Sequence, residues 1–179
     1  TDTDLSREVV AYPSGTCMAN SWDLESARKF GECVRNDLEI SDIEGWLAPG
    51  INIHRNPLNG RNFEYLSEDP LIAGKIGAYI TIGVQYDDNA ESTGKYATVK
   101  HFACNNQEVK RHHNDSRVSQ RALREIYLRG FEICVKEGQP KNIMTSYNKV
   151  NGVWSHYNFD LAKTILRDEW KYEGMVMTD

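Results

Sequence analysis

Hydrophobic positions along the chain alternate between two spacings, one typical of short buried strands and one typical of amphipathic helices. Apolar runs predict five strands, at residues 9–17, 45–53, 95–102, 142–147 and 174–178. Between them, apolar residues three and four positions apart predict four helices, at residues 22–38, 71–85, 119–136 and 158–170. Regular alternation of strands and helices is typical of βαβ units, so we expect an α/β fold with a parallel sheet.

Two of these helices carry recognisable start signals. Asp69 and Pro70 suit the beginning of the second helix, and Asn158 suits the cap of the fourth. A short polar side chain at this position accepts hydrogen bonds from the free N–H groups of the first turn, and proline tolerates that turn.

Composition narrows the function classes. The 179 residues are 40% hydrophobic and 26% charged with a net charge of -5, which describes a globular chain with a core of its own. The basic residues are scattered, so we expect no nucleic-acid partner. No apolar run approaches the roughly 18 residues that span a bilayer, so we expect no membrane contact.

The cysteines and the first residues do not decide whether the protein is cytoplasmic or secreted. Cys17, Cys33, Cys104 and Cys134 are far apart and form no C-x-x-C pair, so we expect free thiols rather than disulfides or a zinc site. Residues 1–4 are polar, so we do not expect them to be part of a signal peptide. Both a cytoplasmic and a secreted protein fit these features.

Chemically active side chains follow four of the predicted strands. In chain order, the strand ends deliver Arg61 and Glu64, Lys100 and His101, Met144 and Tyr147, and finally Asp179. Parallel α/β folds build their active sites at the carboxyl ends of the strands. The loops at residues 54–70 and 105–117 lie on the same side and exceed the usual connection of about 2–6 residues, so we expect a polar ligand there.

Several motifs together resemble the barrel domain of glycoside hydrolase family 3, which contains β-glucosidases and β-xylosidases. They are residues 15–23, 56–64, 67–70, 100–102, 105–108, 144–148 and 174–179. The resemblance implies a partial TIM-type (β/α)8 barrel of about five βα units. A complete barrel has eight strands in about 250 residues. We therefore expect residues 1–179 to be a fragment of a single barrel domain, truncated at both ends.

The resemblance also implies roles for individual residues. Asp179 matches the catalytic nucleophile, a carboxylate that forms a covalent glycosyl-enzyme in a retaining mechanism. Arg61, Lys100 and His101 match residues that hold the hydroxyls of the terminal sugar.

Four further residues match supporting positions of the same site. Arg111 resembles a supporting arginine that binds substrate, and Met144 with Tyr147 resembles the wall that packs on the sugar. Glu64 and Glu108 are interpreted as carboxylates that orient the basic residues. No cofactor and no metal is implied, and the acid/base glutamate is expected from a second domain of the parent protein.

Other interpretations of the same residues remain open. Arg61 and Glu64 could be an ion pair that pins a loop, and Lys100 could be a Schiff-base lysine. His101, His112 and His113 with Cys104 could suggest a metal, but no H-x-x-x-H spacing exists. His54 and His156 are interpreted as structural, and the tryptophans as packing residues rather than sugar platforms.

The expected function is hydrolysis of terminal β-linked sugars from a glucoside or short oligosaccharide. One alternative is a catalytically inactive barrel fragment that binds sugar and needs a partner segment. Another is a β-xylosidase or a β-N-acetylhexosaminidase. The hexosaminidase branch is disfavoured, because its K-H-F-P-G-H-G loop is replaced here by residues 100–106, Lys-His-Phe-Ala-Cys-Asn-Asn.

Overall fold

The computed structural model describes residues 10–179. The first half of the chain contains three helices, α1 (Gly15–Ala19), α2 (Leu24–Ile40) and α3 (Pro70–Gln85). A longer helical stretch follows in four consecutive segments, Gln120–Ala122, Leu123–Tyr127, Arg129–Ile133 and Cys134–Gly138, and the last helix is Asp160–Glu169. Short 3-10 turns occur at Arg111–His113 and Ser155–Tyr157.

Within residues 10–179, seven strands form two sheets. They are β1 (Gly45–Trp46), β2 (Tyr96–Phe102), β3 (Asp115–Ser116), β4 (Asn142–Thr145), β5 (Lys149–Val150), β6 (Val153–Trp154) and β7 (Met175–Met177). The larger sheet has the order β1-β2-β4-β7, and every pair in it is parallel. Each new strand is added at the same edge, as in a barrel and unlike a doubly wound sheet. The predicted α/β fold, a part of a barrel, is confirmed.

The smaller sheet lies beyond the carboxyl ends of the barrel strands. It has the order β3-β5-β6, in which β5 and β6 form an antiparallel hairpin. This sheet was not predicted from the sequence. Its strands are two residues long, too short to show an alternating pattern.

The first predicted strand, at residues 9–17, is wrong where the structure describes it, and Val9 lies outside the described residues. Residues 15–17 belong to α1 instead. The side chain of Ser14 caps this helix by accepting a hydrogen bond from the Cys17 N–H at 3.3 Å. Thr16 Oγ1 donates to the backbone oxygen atoms of Asn62 (2.7 Å) and Tyr65 (2.9 Å). These polar contacts outweigh the apolar pattern and dock α1 on the loop that precedes α3.

The second predicted strand, at residues 45–53, is regular only over β1. The chain beyond it still follows β2, because Lys100 N–H donates to Pro49 O at 3.1 Å and Ile51 N–H donates to Lys100 O at 2.8 Å. β2 itself is irregular between Val99 and Phe102, where its pairing with β4 shifts register. The peptide bonds after Lys100 and after Phe102 are cis.

The remaining helices and strands begin and end near their predicted limits. Both predicted start signals are confirmed: Asp69 accepts bonds from the N–H groups of Leu71 and Ile72, and Asn158 accepts one from Leu161 at 3.2 Å. The core lies between the larger sheet and the helices. There Phe102 packs edge-on against Phe131 (5.3 Å) and Trp170 (5.9 Å between ring centroids), so Trp170 has the expected packing role.

Glycines set the close approach of α2 and α3. A Cβ atom added at Gly83 would lie 2.1 Å from the backbone oxygen of Arg28, and one added at Gly31 would lie 2.2 Å from that of Ile80. No rotamer change can relieve a contact between Cβ and backbone. None of the helices within residues 10–179 combines the length and the apolar character needed to cross a bilayer.

Replacing Gly83 with alanine should therefore separate two packed helices and lower the free energy of unfolding by about 3 kcal/mol, the upper part of the range for overpacked cores. Urea unfolding measures the effect. Gly60→Ala is the matched control, because a Cβ at Gly60 meets nothing within 4 Å. Equal midpoints for the two variants would contradict the helix contact described here.

Candidate active site

Five charged side chains form a continuous chain of alternating sign beside the carboxyl end of β2. In spatial order, this ion-pair chain consists of Lys100, Glu64, Arg61, Glu108 and Arg111. The side chains come from the loop before α3, from β2 and from the loop after β2. All five are partly buried, with side-chain exposures between 14% and 29%.

Arg61 is the centre of the ion-pair chain. Its Nε lies 2.5 Å from Glu64 Oε1, and its Nη1 lies 3.8 Å from Glu108 Oε1. Its Nη2 lies 3.0 Å from His101 Nε2. Glu64 also reaches Lys100 at 3.3 Å, so one carboxylate orients two cations. The predicted ion pair of Arg61 and Glu64 is present, and it joins the other predicted site residues rather than pinning the loop alone.

The loop that carries Arg61 and Glu64 is held by its own backbone and by His54. The His54 Nε2 atom lies 3.0 Å from the backbone oxygen atoms of both Asn62 and Tyr65. Asn62 Nδ2 donates to Asn56 O at 2.8 Å across the base of the loop. His54 therefore has the structural role expected from the sequence. Its contacts fix a long loop without regular secondary structure.

Glu108, on the loop after β2, also orients two cations, as Glu64 does on the loop before α3. Its Oε2 accepts from Arg111 Nη1 at 2.8 Å, and its Oε1 accepts from the side chain of Asn105 at 3.2 Å. The guanidinium of Arg111 in turn lies over the ring of Tyr147, 4.6 Å from its centroid. Glu108 thus connects Arg61 to Arg111, and Arg111 connects the ion-pair chain to the segment after β4.

His101 is buried, with 1% of its surface exposed, and burial lowers its pKa to about 2, helped by the charges of Arg61, Lys100 and Arg111. A neutral imidazole has one donor nitrogen and one acceptor nitrogen. Arginine can only donate, so Nε2 accepts from Arg61 and the ring proton lies on Nδ1. Nδ1 then donates to Asn52 Oδ1 at 3.2 Å.

Asn52 clamps His101 through three contacts. Besides the ring contact, its Oδ1 accepts from the His101 backbone N–H at 2.8 Å, and its Nδ2 donates to the His101 backbone oxygen at 2.9 Å. The sequence analysis missed Asn52. The available signal was a single polar residue between Ile51 and Ile53 within an apolar run, because a buried carboxamide in such a run needs specific partners.

Asp179 lies at the carboxyl end of β7, and its Oδ2 is 3.7 Å from His101 Nε2. This contact is no ion pair, because the imidazole is neutral, and it is too long for a hydrogen bond. The ion-pair chain has three cationic and two anionic members. Asp179 thus approaches the ring nitrogen that also accepts from Arg61, the central cation of the ion-pair chain.

The two predicted wall residues differ in position. Tyr147 is half-buried between the Arg111 guanidinium and the His112 ring, whose centroid lies 4.3 Å away. Met144 is buried in β4, with 5% exposed, and pairs in register with Met177, two residues before Asp179. Its place in a sugar-binding wall stays a prediction.

A cavity of about 360 Å³ lies against Asp179. It is lined by Asp179 and Tyr147 together with six residues that were not predicted as site residues, which are His112, Thr145, Ser146, Trp154, His156 and Thr178. This grouping could not be predicted from the sequence, because the small sheet that carries Trp154 could not be predicted. Among the described residues, no three side chains of metal-ligand type come together.

The neutral state of His101 has a measurable consequence. We expect the folded protein to keep the His101 ring uncharged, with its proton on Nδ1, at pH 5. The unfolded chain takes up a proton below about pH 6.5, so His101 should make stability fall as the pH decreases, by about 1.4 kcal/mol per pH unit. Nitrogen-15 NMR of histidine-labelled protein reads the tautomer directly, and the variant His101→Gln assigns the signal. Protonation of this ring near pH 6.5 would contradict the geometry.

Comparison with known proteins places this arrangement in context. The profile of the glycosyl hydrolase family 3 N terminal domain matches residues 3–179. A beta-glucosidase of Ruminococcus albus is 43% identical over 176 residues, which cover 98% of this chain and 18% of the relative. An exo-alpha-(1->6)-L-arabinopyranosidase of Bifidobacterium longum is 46% identical over 179 residues, which cover all of this chain and 23% of the relative.

The fold agrees with solved structures. The structure of beta-glucosidase 3B from Thermotoga neapolitana in complex with glucose superposes with a TM-score of 0.89 at 45% identity, covering 94% of this chain and 23% of the other. The resemblance drawn from the motifs is thus confirmed. The chain spans about a fifth of the length of these relatives.

Proposed function

Since the chain belongs to glycosyl hydrolase family 3, we propose that it carries the nucleophile side of the active site of a retaining exo-β-glycosidase of the β-glucosidase type. The observation that carries the proposal is Asp179 beyond β7, whose Oδ2 lies 3.7 Å from His101 Nε2, the same ring nitrogen that accepts from Arg61 at 3.0 Å. Asp179 attacks the anomeric carbon while the glycosidic C–O bond breaks and the leaving oxygen takes a proton from the acid/base, and water then hydrolyses the covalent glycosyl-enzyme with net retention.

The ion-pair chain supplies fixed donors for the hydroxyls of the terminal sugar. Lys100, Arg61 and Arg111 each retain donor hydrogens beyond those bound to Glu64 and Glu108. Because the two carboxylates hold these cations in place before substrate arrives, little reorganisation is needed as positive charge develops on the sugar ring. The ion-pair chain also carries one more positive than negative charge. The carboxylate of Asp179 balances this charge until the carboxylate bonds to the sugar.

His101 contributes through Arg61. Both of its ring nitrogens are engaged by protein groups, Nδ1 by Asn52 and Nε2 by Arg61. The ring therefore sets the direction of the Arg61 guanidinium, which is the donor that a sugar hydroxyl meets. Direct contact of His101 with the sugar, as the family resemblance implies, remains a prediction.

The complete site needs parts that lie outside residues 10–179. Four barrel strands are described, and an eight-stranded barrel needs as many again. We propose that residues 1–179 are one part of a single barrel domain. The other barrel strands and a second domain in the parent protein then complete the site and supply the acid/base, and the substrate is a β-linked glucoside or a short oligosaccharide.

A second candidate substrate is a terminal L-arabinopyranoside. A protein named exo-alpha-(1->6)-L-arabinopyranosidase is 46% identical to this chain, close to the 43% and 45% of the beta-glucosidases reported above, so sequence identity does not separate the two sugars. The two candidates share the proposed nucleophile and differ in the sugar accepted. Initial rates of the complete protein on 4-nitrophenyl β-D-glucopyranoside and 4-nitrophenyl α-L-arabinopyranoside separate them.

Proton NMR of the first product tests the proposed reaction. With a β-glucoside as substrate, the complete protein should release β-glucose first, and α-glucose should appear only later by mutarotation. Release of α-glucose first would show inversion and would exclude a covalent intermediate on Asp179. Absence of glycoside hydrolysis in a folded complete protein would favour the inactive sugar-binding alternative.

A further inference from the structure

The Nε2 atom of His101 has two neighbours that need it in opposite states. Arg61 Nη2 lies 3.0 Å away and can only donate, so it needs this nitrogen without a proton. Asp179 Oδ2 lies 3.7 Å away, and an ionised carboxylate can only accept, so it attracts a proton to the same nitrogen. The protonation state of one ring therefore decides which of the two groups the ring binds.

Charged and titratable groups from four parts of the chain surround the ring. They are Arg61 and Tyr65 from the loop before α3, Lys100 from β2, Arg111 from the loop after β2, and Asp179 from the segment after β7. The three cations oppose a positive charge on the ring and favour its neutral form. The carboxylate of Asp179 favours the charged form.

Charge alone does not decide which nitrogen carries the single proton of a neutral ring. A neutral imidazole holds this proton on either nitrogen, and only the Nδ1 form leaves Nε2 free to accept from Arg61. Asn52 Oδ1 lies 3.2 Å from Nδ1, and Tyr65 Oη lies 3.4 Å from it. The Tyr65 hydroxyl is also engaged by Asn105, at 3.4 and 3.5 Å. Asn52 is therefore the closer acceptor for the Nδ1 proton.

The orientation of the Asn52 carboxamide is fixed by the backbone of the same histidine. Its Oδ1 accepts from the His101 N–H at 2.8 Å, and its Nδ2 donates to the His101 oxygen at 2.9 Å. Rotation of the carboxamide by half a turn would place its N–H groups against the backbone N–H and against Nδ1–H. Asn52 is 2% exposed, so protein groups must satisfy its polar atoms. Asn52 thus offers the ring an oxygen atom that carries no charge.

We propose that Asn52 is a positioning residue for the reaction. By accepting the Nδ1 proton with an uncharged oxygen, it leaves Nε2 as the acceptor that orients Arg61, and it keeps His101 from binding Asp179 as a cation. A carboxylate in the same place would stabilise a charged ring, whose Nε2–H would repel Arg61 and attract Asp179. The inference rests on the proposed function, because it takes Asp179 as the nucleophile and Arg61 as a donor to the sugar.

Asn52→Asp tests the inference, because the two side chains have the same shape and differ in charge. In the complete protein, kcat/KM on 4-nitrophenyl β-D-glucopyranoside is measured from glucose release between pH 5.5 and pH 7.5. The ratio of the variant to the unaltered protein should fall about tenfold as the pH decreases, because the ring regains an ordinary pKa of about 6.5. Nitrogen-15 NMR should show a charged His101 ring at pH 5.5 in the variant alone. A ratio independent of pH, or a neutral ring in the variant, would overturn the inference.

Asn151→Asp is the matched control. Asn151 holds the backbone of Val118 by the same two bonds, accepting from its N–H and donating to its oxygen, both at 2.9 Å. The control loses the same kind of donor as Asn52→Asp, but Asn151 is not among the groups around His101, so its kcat/KM ratio should not change with pH.

Asn52→Ala is the second variant, and it decides the question if Asn52→Asp does not fold. It removes the acceptor of the Nδ1 proton without adding a charge. Its His101 ring should populate both tautomers in the nitrogen-15 spectrum, and kcat/KM should be about tenfold lower at each pH. A single Nδ1 tautomer or an unchanged kcat/KM would overturn the inference.

Binding separates this inference from the proposed function. Methyl 1-thio-β-D-glucoside resists hydrolysis, and its Kd reports how the donors of the ion-pair chain meet the sugar hydroxyls. In Asn52→Asp, the Kd relative to that of the unaltered protein should rise about tenfold from pH 7.5 to pH 5.5. This rise in a protein that hydrolyses no glycoside would support the inference and overturn only the proposed function. A Kd ratio independent of pH would overturn the inference.

Discussion

Replacement of Asp179 by asparagine should reduce kcat of the complete protein on 4-nitrophenyl β-D-glucopyranoside by about 10⁴-fold or more, as removal of a covalent nucleophile does in other hydrolases. The carboxamide has the shape of the carboxylate but cannot attack the anomeric carbon. It also leaves the positive charge of the ion-pair chain unbalanced. Release of 4-nitrophenolate measures the loss.

Two companion variants make this result specific. Asp160→Asn changes an exposed carboxylate at the start of the last helix and should leave kcat unchanged. In Asp179→Ala, added azide should restore turnover, because azide occupies the vacated space and attacks the anomeric carbon in place of the carboxylate. The product is then α-glucosyl azide. A loss below tenfold in Asp179→Asn would remove Asp179 from the reaction.

Replacement of Arg61 by lysine should lower kcat/KM by about 10²-fold although the charge is retained. The guanidinium contacts Glu64, Glu108 and His101 through three different nitrogen atoms, at 2.5, 3.8 and 3.0 Å. A single ammonium cannot reach all three groups, so His101 loses its donor and the two carboxylates lose their common partner.

Arg129→Lys is the control for this substitution. Arg129 also pairs with a glutamate three residues along, Glu132 at 2.8 Å, but its side chain is 49% exposed and distant in sequence from the site residues. Surface ion pairs of this type contribute little, so activity should stay unchanged. If Arg61→Lys retained full activity while Arg61→Met lost it, charge alone would explain the role of Arg61, and the three-way contact would be unimportant.

The sequence predicted those parts of the fold that depend on repeated local patterns. The second predicted helix, at residues 71–85, shows the reason. Its apolar spacing, the cap of Asp69 and the proline at position 70 all favour the same start, and α3 begins at Pro70 in the structure. Residues 9–17 show the opposite case. Their apolar character favours a strand, but the hydrogen bonds of Ser14 and Thr16 favour a helix, and Thr16 depends on partners 46 and 49 residues away.

The same distinction applies to the candidate site. Arg61, Glu64, Lys100, His101, Glu108 and Arg111 were predicted from strand ends and motifs, and the structure brings them together. Asn52 was missed, and so was the cavity that Trp154 shares with Asp179, because both depend on residues that are distant in sequence. Asn52 bonds to His101, 49 residues away, and Trp154 meets Asp179 only at the shared cavity.

The ion-pair chain suggests why two glutamates accompany the basic residues of the proposed site. Without Glu64 and Glu108, Lys100, Arg61 and Arg111 would repel one another and would be free to adopt other rotamers. With both glutamates present, each cation has a defined partner within 4 Å. In the proposed site, each glutamate thus holds two basic side chains in place for the sugar.

Labelling of the complete protein with 2-deoxy-2-fluoro-β-glucosyl fluoride, followed by intact-mass analysis and peptide mapping, tests the central claim most directly. The fluorine at C2 slows breakdown of the glycosyl-enzyme, so the covalent intermediate accumulates on the nucleophile. We expect one added 2-deoxy-2-fluoroglucosyl group per chain, on the peptide that contains Asp179, and no label in Asp179→Asn. A label on another carboxylate, or no label in a protein that hydrolyses β-glucosides, would contradict the assignment of Asp179.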